Sequence, residues 1–505
     1  MSSFVRGTIF LMFVIFLSKL FGFFYRIQFM RIAGEEAVGV YMTAYPAFIF
    51  FISLIQLGLP IAVAKIVAEL LAKNKKDSIL GVMRTAITWS IIAIVLFTPL
   101  LWFAIPYISN TLLHNEQTTL TLWIALITVP VAVGSGLFKS YLQGIAKISP
   151  TAWSQMLEQV VRIGFISFML PFFATYNNSA VTAAAAMGIT LLAEILAFIY
   201  LWIHYSLSKK RLGLNKKNAK PYPVAPMFKV ALPSAGSKLF GSFTWFLEPI
   251  IFLKALTMAG LTAASATMLY GVISGVLVPL LLFPAFVPFA LSIVLIPAVS
   301  DAVARSHTSL LQERISVSLR LSSLVGCFAA TYFFIHGDEL AVRLFHLEEN
   351  RGYVKILAPI FYFYYIQSPL HSILQAVGEA RAAMMNSIYG GLGKLFVMFV
   401  LASQPGIQEK GAVIAIGFGV LLTSFLHIAT IRQRKNLGAG FRMFIVPYSC
   451  FIAVCFLQHF ITNIYPLPLL ASSGLTLFLL FTLLLFGNQI RFQDLRYVRK
   501  LAKRS

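Results

Sequence analysis

The chain has 505 residues, of which 59% are hydrophobic and only 11% are charged, and its mean hydropathy is +0.84. Soluble domains carry about 25% charged residues, so this composition excludes a water-soluble protein with one core and predicts an integral membrane protein. The formal net charge of +23 is distributed between apolar runs. That distribution favours a membrane topology signal over a nucleic-acid partner.

Apolar runs long enough to cross a bilayer recur along the whole chain. The runs are continuous rather than alternating, and helices satisfy their own backbone hydrogen bonds in lipid, so we predict about fourteen transmembrane helices. The predicted spans are 7–29, 41–71, 85–106, 119–142, 152–174, 181–205, 229–257, 266–297, 317–335, 354–377, 382–403, 411–431, 443–463 and 466–486. The predicted fold class is therefore an all-α integral membrane protein.

The basic residues predict the orientation of these spans. If the N-terminus is cytoplasmic, and residues near the ends of spans are counted with the adjacent segment, 28 of the 40 lysine and arginine residues lie on the cytoplasmic side, five lie outside and seven lie deeper within spans. An excess of basic residues in cytoplasmic segments is the usual bias of multi-pass membrane proteins. We therefore predict a multi-pass protein with both termini in the cytoplasm and no nucleic-acid partner.

An internal repeat predicts two lobes. The word SKLFG occurs at 18–22 and again at 237–241, and LQG at 142–144 is matched by LQA at 374–376. Each repeat holds about six helices, and an even number keeps the same orientation, so the two lobes are predicted to be parallel repeats with the substrate path between them. The predicted divisions are an N-lobe (1–205), a basic cytoplasmic linker (206–228), a C-lobe (229–435), and two further helices with a basic tail (436–505).

Basic residues inside the spans predict an anion site. Lys19 and Arg26 are seven residues apart, so they share one face of the first helix. Lys238 shares a stripe of the seventh helix with Trp245 and Glu248, which we interpret as cavity or gating residues. A charge at the centre of a span costs about 2.5–3.5 kcal/mol, so these side chains face protein or water. Snorkelling to an interface and interhelical salt bridges remain alternatives to an aqueous cationic cavity.

Two acid–base pairs lie four residues apart in predicted helices. Glu158 and Arg162 have the favourable order and predict a structural ion pair. Lys65 and Glu69 are also predicted to pair, near the inner end of the second span, where they are further candidates for the cavity or its gate. The stretch GGLGK ends at Lys394 but lacks the first glycine of a phosphate-binding loop, so no nucleotide cofactor is predicted. No metal-ligand spacing is found either.

The stretches SKLFGFFYR (18–26), RIAGEEAVGVYMTAYPAF (31–48), QLGLPIAVAKIVAE (56–69), YLQGIAKISPTAWSQMLEQVVRI (141–163) and LQAVGEARAAMMNS (374–387) resemble one protein family. It is the stage V sporulation protein B branch of the polysaccharide-transport family. That family is grouped with the multidrug, oligosaccharidyl-lipid and polysaccharide (MOP) flippases. The resemblance is most specific in the first lobe.

This resemblance implies a fourteen-helix, two-lobed fold whose central V-shaped cavity is lined by the first, second, seventh and eighth helices. It implies a bacterial cell-membrane flippase for an undecaprenyl-pyrophosphate-linked saccharide, a lipid II-like peptidoglycan precursor for the spore cortex. Lys19, Arg26 and Lys238 match the basic residues that contact the pyrophosphate. The implied partners are the lipid-linked substrate, membrane lipids, a coupling cation or the membrane potential, and a cell-wall polymerase.

Three other functions stay open at this stage. A cation-coupled multidrug exporter of the same fold would need acids in the cavity, for which Glu248 is the best candidate. A membrane enzyme could use the acids and histidines at 336–349, although they show no catalytic spacing. A non-transporting membrane assembly factor is the third alternative.

Overall fold

The computed structural model describes residues 3–212, 220–304, 308–349, 351–433, 442–465 and 467–490. The ordered elements in this part of the chain are all helical. The α-helices are α1 (Ser3–Gln56), α2 (Leu59–Ala72), α3 (Asp77–Tyr107), α4 (Thr118–Gly144), α5 (Ile148–Ala174), α6 (Ser179–Arg211), α7 (Val224–Met258), α8 (Ala263–Val272), α9 (Val278–Leu282), α10 (Phe286–Ala304), α11 (Thr308–Phe345), α12 (Tyr353–Ala376), α13 (Ala380–Ala402), α14 (Glu409–Gln433), α15 (Arg442–Ile464) and α16 (Leu469–Phe486). The predicted all-α fold is confirmed.

The predicted number of spans agrees with these helices. Twelve helical segments in the described residues are long and apolar enough to cross a membrane. One of them, Phe16–Gln56, contains two predicted spans, because α1 folds back at Gly34. The helix α12, which is 24 residues long, supplies the remaining predicted span. The chain is therefore a multi-pass membrane protein with the fourteen predicted helices.

Two glycines shape the second span. Gly34 has φ 76° and ψ 171°, a backbone conformation that favours glycine, and it divides α1 into two arms that pack together where Phe29 meets Tyr41 (ring centroids 5.0 Å apart). The span breaks again after Gln56, where Gly58 has φ 69° and α2 then begins. The predicted single helix over 41–71 is thus two helices in the structure.

The eighth span is broken more strongly. The helix α8 passes through a π-helical turn (Ile273–Leu277) into the short helix α9, then through a 3₁₀ turn (Phe283–Ala285) into α10. Pro279 and Pro284 remove backbone donors in this stretch, which explains why one regular helix cannot continue through it.

The chain forms two compact units. The N-terminal unit is Phe13–Gly275, and the C-terminal unit is Val276–Ser505 together with Met1–Met12. The helix α7 packs within the N-terminal unit, whereas the sequence repeat places it at the start of the C-lobe, so the division into lobes stays a prediction. Parts of the predicted linker and tail lie outside the described residues.

The N-terminal unit has a core where several helices meet. Buried side chains of α2, α3, α4 and α6 form it, among them Val63, Met83, Tyr141 and Leu201. Met227 and Ala231 bring the first turns of α7 into the same core. In water, full burial of one large apolar side chain stabilises a core by about 1.5–3 kcal/mol. Within lipid, close packing of the side chains stabilises the core instead, because there is no water to exclude. This packing fixes α7 beside the broken second span.

Candidate functional site

Arg26 lies in the first arm of α1 and reaches the eighth span. Its Nη1 donates a hydrogen bond to the carbonyl oxygen of Gly275 over 3.3 Å. Gly275 belongs to the π-helical turn, where the widened backbone alters the regular helical hydrogen bonding. The phenol groups of Tyr25, Tyr41 and Tyr45 are close enough to interact electrostatically with this guanidinium. Arg26 is therefore a half-buried cation near three phenol groups.

Lys238 has a different setting on α7. Its Nζ donates a hydrogen bond to Oε1 of Gln56 over 2.7 Å. Gln56 is buried and is the last residue of α1, two positions before Gly58. The close approach of α7 at Gly58 explains the contact: a Cβ added there would lie 2.2 Å from the carbonyl oxygen of Ala231.

The three predicted anion-binding residues lie at different distances along the two arms of α1. Counted from Gly34 at 1.5 Å per residue, Arg26 lies about 12 Å along the first arm and Lys19 about 22 Å. On the second arm Gln56, which holds Lys238, lies about 33 Å from Gly34. We name Arg26, Lys19 and Lys238 the basic ladder. Its steps are about 10 Å along the helix axis.

The two copies of SKLFG are not equivalent in the structure. Lys19 is exposed and has no hydrogen-bond or ion-pair partner among the described residues, whereas Lys238 is held by Gln56. A Cβ added at Gly22 would lie 3.6 Å from Oε1 of Gln159 on α5, while one added at Gly241 would meet no atom within 4 Å. The first copy therefore packs against another helix at its glycine, and the second does not.

The predicted gating residues of α7, Trp245 and Glu248, lie about two and three helical turns after Lys238. Trp245 packs edge to face on Tyr45, with ring centroids 5.9 Å apart, and 39% of its surface is exposed. Glu248 is buried and lies close enough to Tyr270 of α8 for its charge to interact with that phenol group. Tyr45 lies about 16 Å from Gly34 along the second arm of α1, between the values for Arg26 and Lys19 on the first arm. The contact with Tyr45 therefore places Trp245 beside this part of the second arm.

The two acid–base pairs differ in burial. Nζ of Lys65 lies 3.9 Å from Oε1 of Glu69, and both side chains are more than half exposed. In contrast, Nη2 of Arg162 lies 2.5 Å from Oε1 of Glu158, and only 12% and 13% of these side chains are exposed. The contact at Lys65 is weak, because exposed ion pairs contribute about 0–1 kcal/mol. The pair on α5 is an interior feature.

Two residues of this site were not predicted from the sequence. Gln56 was not singled out, although an amide in an apolar run is a polar signal that the prediction could have used. Tyr45 was also missed, and it joins the site because it lies near both Arg26 and Trp245. An aromatic residue in a membrane span gives no sequence signal that separates this role from packing.

The acids and histidines at 336–349 have structural contacts. The helix α11 extends to Phe345, so it continues ten residues beyond the predicted span 317–335 and includes the first part of this stretch. Asp338 accepts hydrogen bonds from the backbone N–H groups of Val354 (2.9 Å) and Lys355 (3.2 Å), which caps the start of α12. His336 is buried and hydrogen-bonded to Thr476 over 2.9 Å. In the described part of the chain, no group of three or more His, Cys, Asp or Glu side chains could hold a metal ion.

Comparisons with known proteins agree with this architecture. The chain is 32% identical over 459 residues to stage V sporulation protein B of Bacillus subtilis (strain 168), covering 90% of this chain and 88% of that protein. A solved structure of the lipid II flippase MurJ in an inward closed conformation matches with a TM-score of 0.69 at 13% identity, covering 96% of this chain and 99% of that chain.

An inward-facing structure of a multidrug resistance MATE family transporter of the MOP superfamily also matches with a TM-score of 0.69, at 15% identity, over 83% of this chain and 94% of that one. These two structures establish the shared fold. The profile of the polysaccharide biosynthesis protein family matches residues 4–303, which contain every predicted site residue. The chain therefore belongs to the polysaccharide biosynthesis protein family, and it is similar to stage V sporulation protein B.

Proposed function

We propose that this protein moves an undecaprenyl-pyrophosphate-linked saccharide, a lipid II-like peptidoglycan precursor for the spore cortex, from the inner to the outer leaflet by alternating access. The observation that carries the proposal is the basic ladder of Arg26, Lys19 and Lys238 in the N-terminal unit. Cations at several depths of a membrane protein suit an anion that must pass through the bilayer.

The chemistry of the ladder fits a pyrophosphate headgroup. Arginine binds phosphate oxygens through its planar fork, and lysine binds them as a point charge. Lys19 keeps its ammonium group available, while the carbonyl and amide that hold Arg26 and Lys238 are neutral acceptors that a phosphate can replace. Steps of about 10 Å let long basic side chains pass the headgroup from one to the next.

The membrane potential can drive this movement. With a negative cytoplasm, export of an anion is downhill by about 2.3 kcal/mol per charge per 100 mV. A headgroup with two negative charges therefore gains about 4–5 kcal/mol at that potential. A coupling cation would be a second driving force, and buried Glu248 is the candidate residue to bind it.

The sign of the interior charge separates this function from drug export. The fold is shared with a multidrug transporter, so the fold alone does not decide between them. An exporter of cationic drugs needs acids in its cavity; Glu158 is paired with Arg162 at 2.5 Å, which leaves buried Glu248 as the acid for that role and the exporter as the second candidate. Three ladder cations in the same unit repel a cationic drug and attract a phosphate.

The test is reconstitution into liposomes with fluorescently labelled lipid II in the inner leaflet. The proposal predicts that the headgroup reaches the outer leaflet faster than in protein-free liposomes, and that ethidium is not transported. Lys238→Met should slow the transfer, whereas Lys254→Met, at a lysine on the same helix outside the ladder, should not. Ethidium transport without lipid II transfer would refute the proposal in favour of the exporter.

A further inference from the structure

A second arginine lies beside the ladder. The sequence assigns Arg162 to a structural ion pair with Glu158, but the structure places that pair in the interior. Gln159, which follows Glu158 in sequence, contacts α1 at Gly22: a Cβ added to Gly22 would lie 3.6 Å from Oε1 of Gln159. The segment of α5 that carries Arg162 therefore packs beside the arm of α1 that carries Lys19 and Arg26.

The guanidinium of Arg162 is only partly satisfied. It carries five N–H groups, and Nη2 lies within hydrogen-bond distance of Oε1 of Glu158. Nε is buried and has no hydrogen-bond partner within the described ranges of the chain. A buried donor without an acceptor is destabilising. The resting arrangement of Arg162 thus leaves donor capacity that an added acceptor would satisfy.

Two like charges also lie near one another around Arg162. Arg162 and Arg26 are close enough for their positive charges to interact, and both interact with the phenol group of Tyr45. The carboxylate of Glu158 interacts with the phenol group of Tyr45 and is paired with Arg162. Two like charges in an interior of low dielectric need a second anion to become balanced.

We propose that Arg162 is a further anion-binding residue of this site, and that Glu158 is a resident counter-ion which a phosphate group of the substrate displaces. This inference rests on the proposed function and adds a residue to its site, because the two phosphate groups of a polyprenyl pyrophosphate are matched by two guanidinium forks, those of Arg26 and Arg162. Without ligand, Glu158 limits the repulsion between Arg162 and Arg26. When phosphate arrives, Glu158 is released, the guanidinium of Arg162 turns, and its Nε gains an acceptor.

The test is ligand binding by the full-length protein in phosphatidylcholine nanodiscs. Farnesyl pyrophosphate is the probe, with farnesol and inorganic pyrophosphate as parallel arms that separate recognition of the tail from recognition of the headgroup. Arg162→Gln should weaken farnesyl pyrophosphate binding about ten- to 100-fold, the range for loss of a hydrogen bond to a charged group. Glu158→Gln should bind at least as tightly as wild type, because it removes the competing carboxylate.

A purely structural ion pair makes the opposite predictions. It requires Glu158→Gln and Arg162→Gln to weaken binding equally, and it requires the exchange Glu158→Arg with Arg162→Glu to restore binding. Either result overturns the inference, as does an Arg162→Gln variant that binds like wild type. Wild-type protein that binds no farnesyl pyrophosphate would instead count against the proposed function itself.

The chain offers a matched control pair and a conservative variant. Glu339 and Arg343 have the same order, spacing and Nη2–Oε1 distance of 2.5 Å, but their side chains are 45% and 62% exposed. Arg343→Gln should therefore leave farnesyl pyrophosphate binding unchanged. Should Arg162→Gln fail to fold, Arg162→Lys keeps the charge and loses the fork, and we expect a three- to tenfold loss of affinity. A folded Arg162→Lys variant with wild-type affinity would contradict the inference.

Discussion

Gly58→Ala should displace α7 from the broken second span and disturb Lys238, the residue of the basic ladder that lies on α7. Gly58 has φ 69°, and a non-glycine residue in this left-handed region costs about 1–2 kcal/mol. The added Cβ would also lie 2.2 Å from the carbonyl oxygen of Ala231 and 2.9 Å from the backbone nitrogen of Ala235. These are backbone atoms that cannot rotate away, and overpacking of this kind costs about 1–3 kcal/mol. The expected total destabilisation is about 2–5 kcal/mol.

The consequence for the site follows from the position of Lys238. It lies one helical turn beyond Ala235, and its partner Gln56 lies two residues before Gly58, so separation of the backbones breaks their 2.7 Å hydrogen bond. We expect a lower unfolding temperature of the solubilised protein, faster amide hydrogen exchange around Ala231, and slower lipid II transfer.

A glycine in the second SKLFG copy provides the control. A Cβ added at Gly241 meets no atom within 4 Å, and this helical position should tolerate alanine or gain up to about 1 kcal/mol from it. If Gly58→Ala unfolds, exchanges and transports like wild type, the argument for close packing at Gly58 is wrong.

Three further predictions concern single residues. Arg26→Lys should retain part of the lipid II transfer and Arg26→Ala almost none, because the lysine keeps the charge but loses the fork; wild-type transfer by Arg26→Lys would show that the fork is unused, and equal transfer by the two variants would show that the charge alone contributes nothing. Trp245→Phe should transfer lipid II at a rate close to wild type while Trp245→Ala is slower, because only the former keeps an aromatic contact with Tyr45; equal rates would exclude a role for that contact. Asp338→Ala should lower the unfolding temperature through loss of a cap contributing about 1 kcal/mol, with transfer unchanged; loss of transfer at full stability would favour an activity at 336–349.

Most of the fold could be predicted because each membrane span is a local sequence pattern, a run of apolar residues bounded by basic ones. The breaks within the second and eighth spans could not be predicted in this way. Gly58 lies in an apolar run that predicts one helix, and the need for glycine there arises from the approach of Ala231 on a helix distant in sequence. The π-helical turn at Ile273–Leu277 likewise has no clear sequence signal, although the prolines after it mark an irregular region.

The site was predicted only in part for the same reason. The shared face of Lys19 and Arg26 follows from their spacing on one helix. The partner of Lys238 is 182 residues away in sequence, so no local pattern could reveal it. The pairing of Glu158 with Arg162 was a local pattern and was predicted, but its burial beside Arg26 depends on how α5 packs on α1.

The central claim is that unneutralised cations inside the N-terminal unit carry an anionic lipid headgroup. The most direct measurement is the rate of labelled lipid II transfer in liposomes with an imposed potential, comparing wild type with the double variant Lys19→Ala, Arg26→Ala at equal incorporation and unfolding temperature. We predict transfer by wild type that quickens as the potential favours anion movement, and no transfer above the protein-free rate by the double variant. Transfer by the double variant at the wild-type rate would contradict the account.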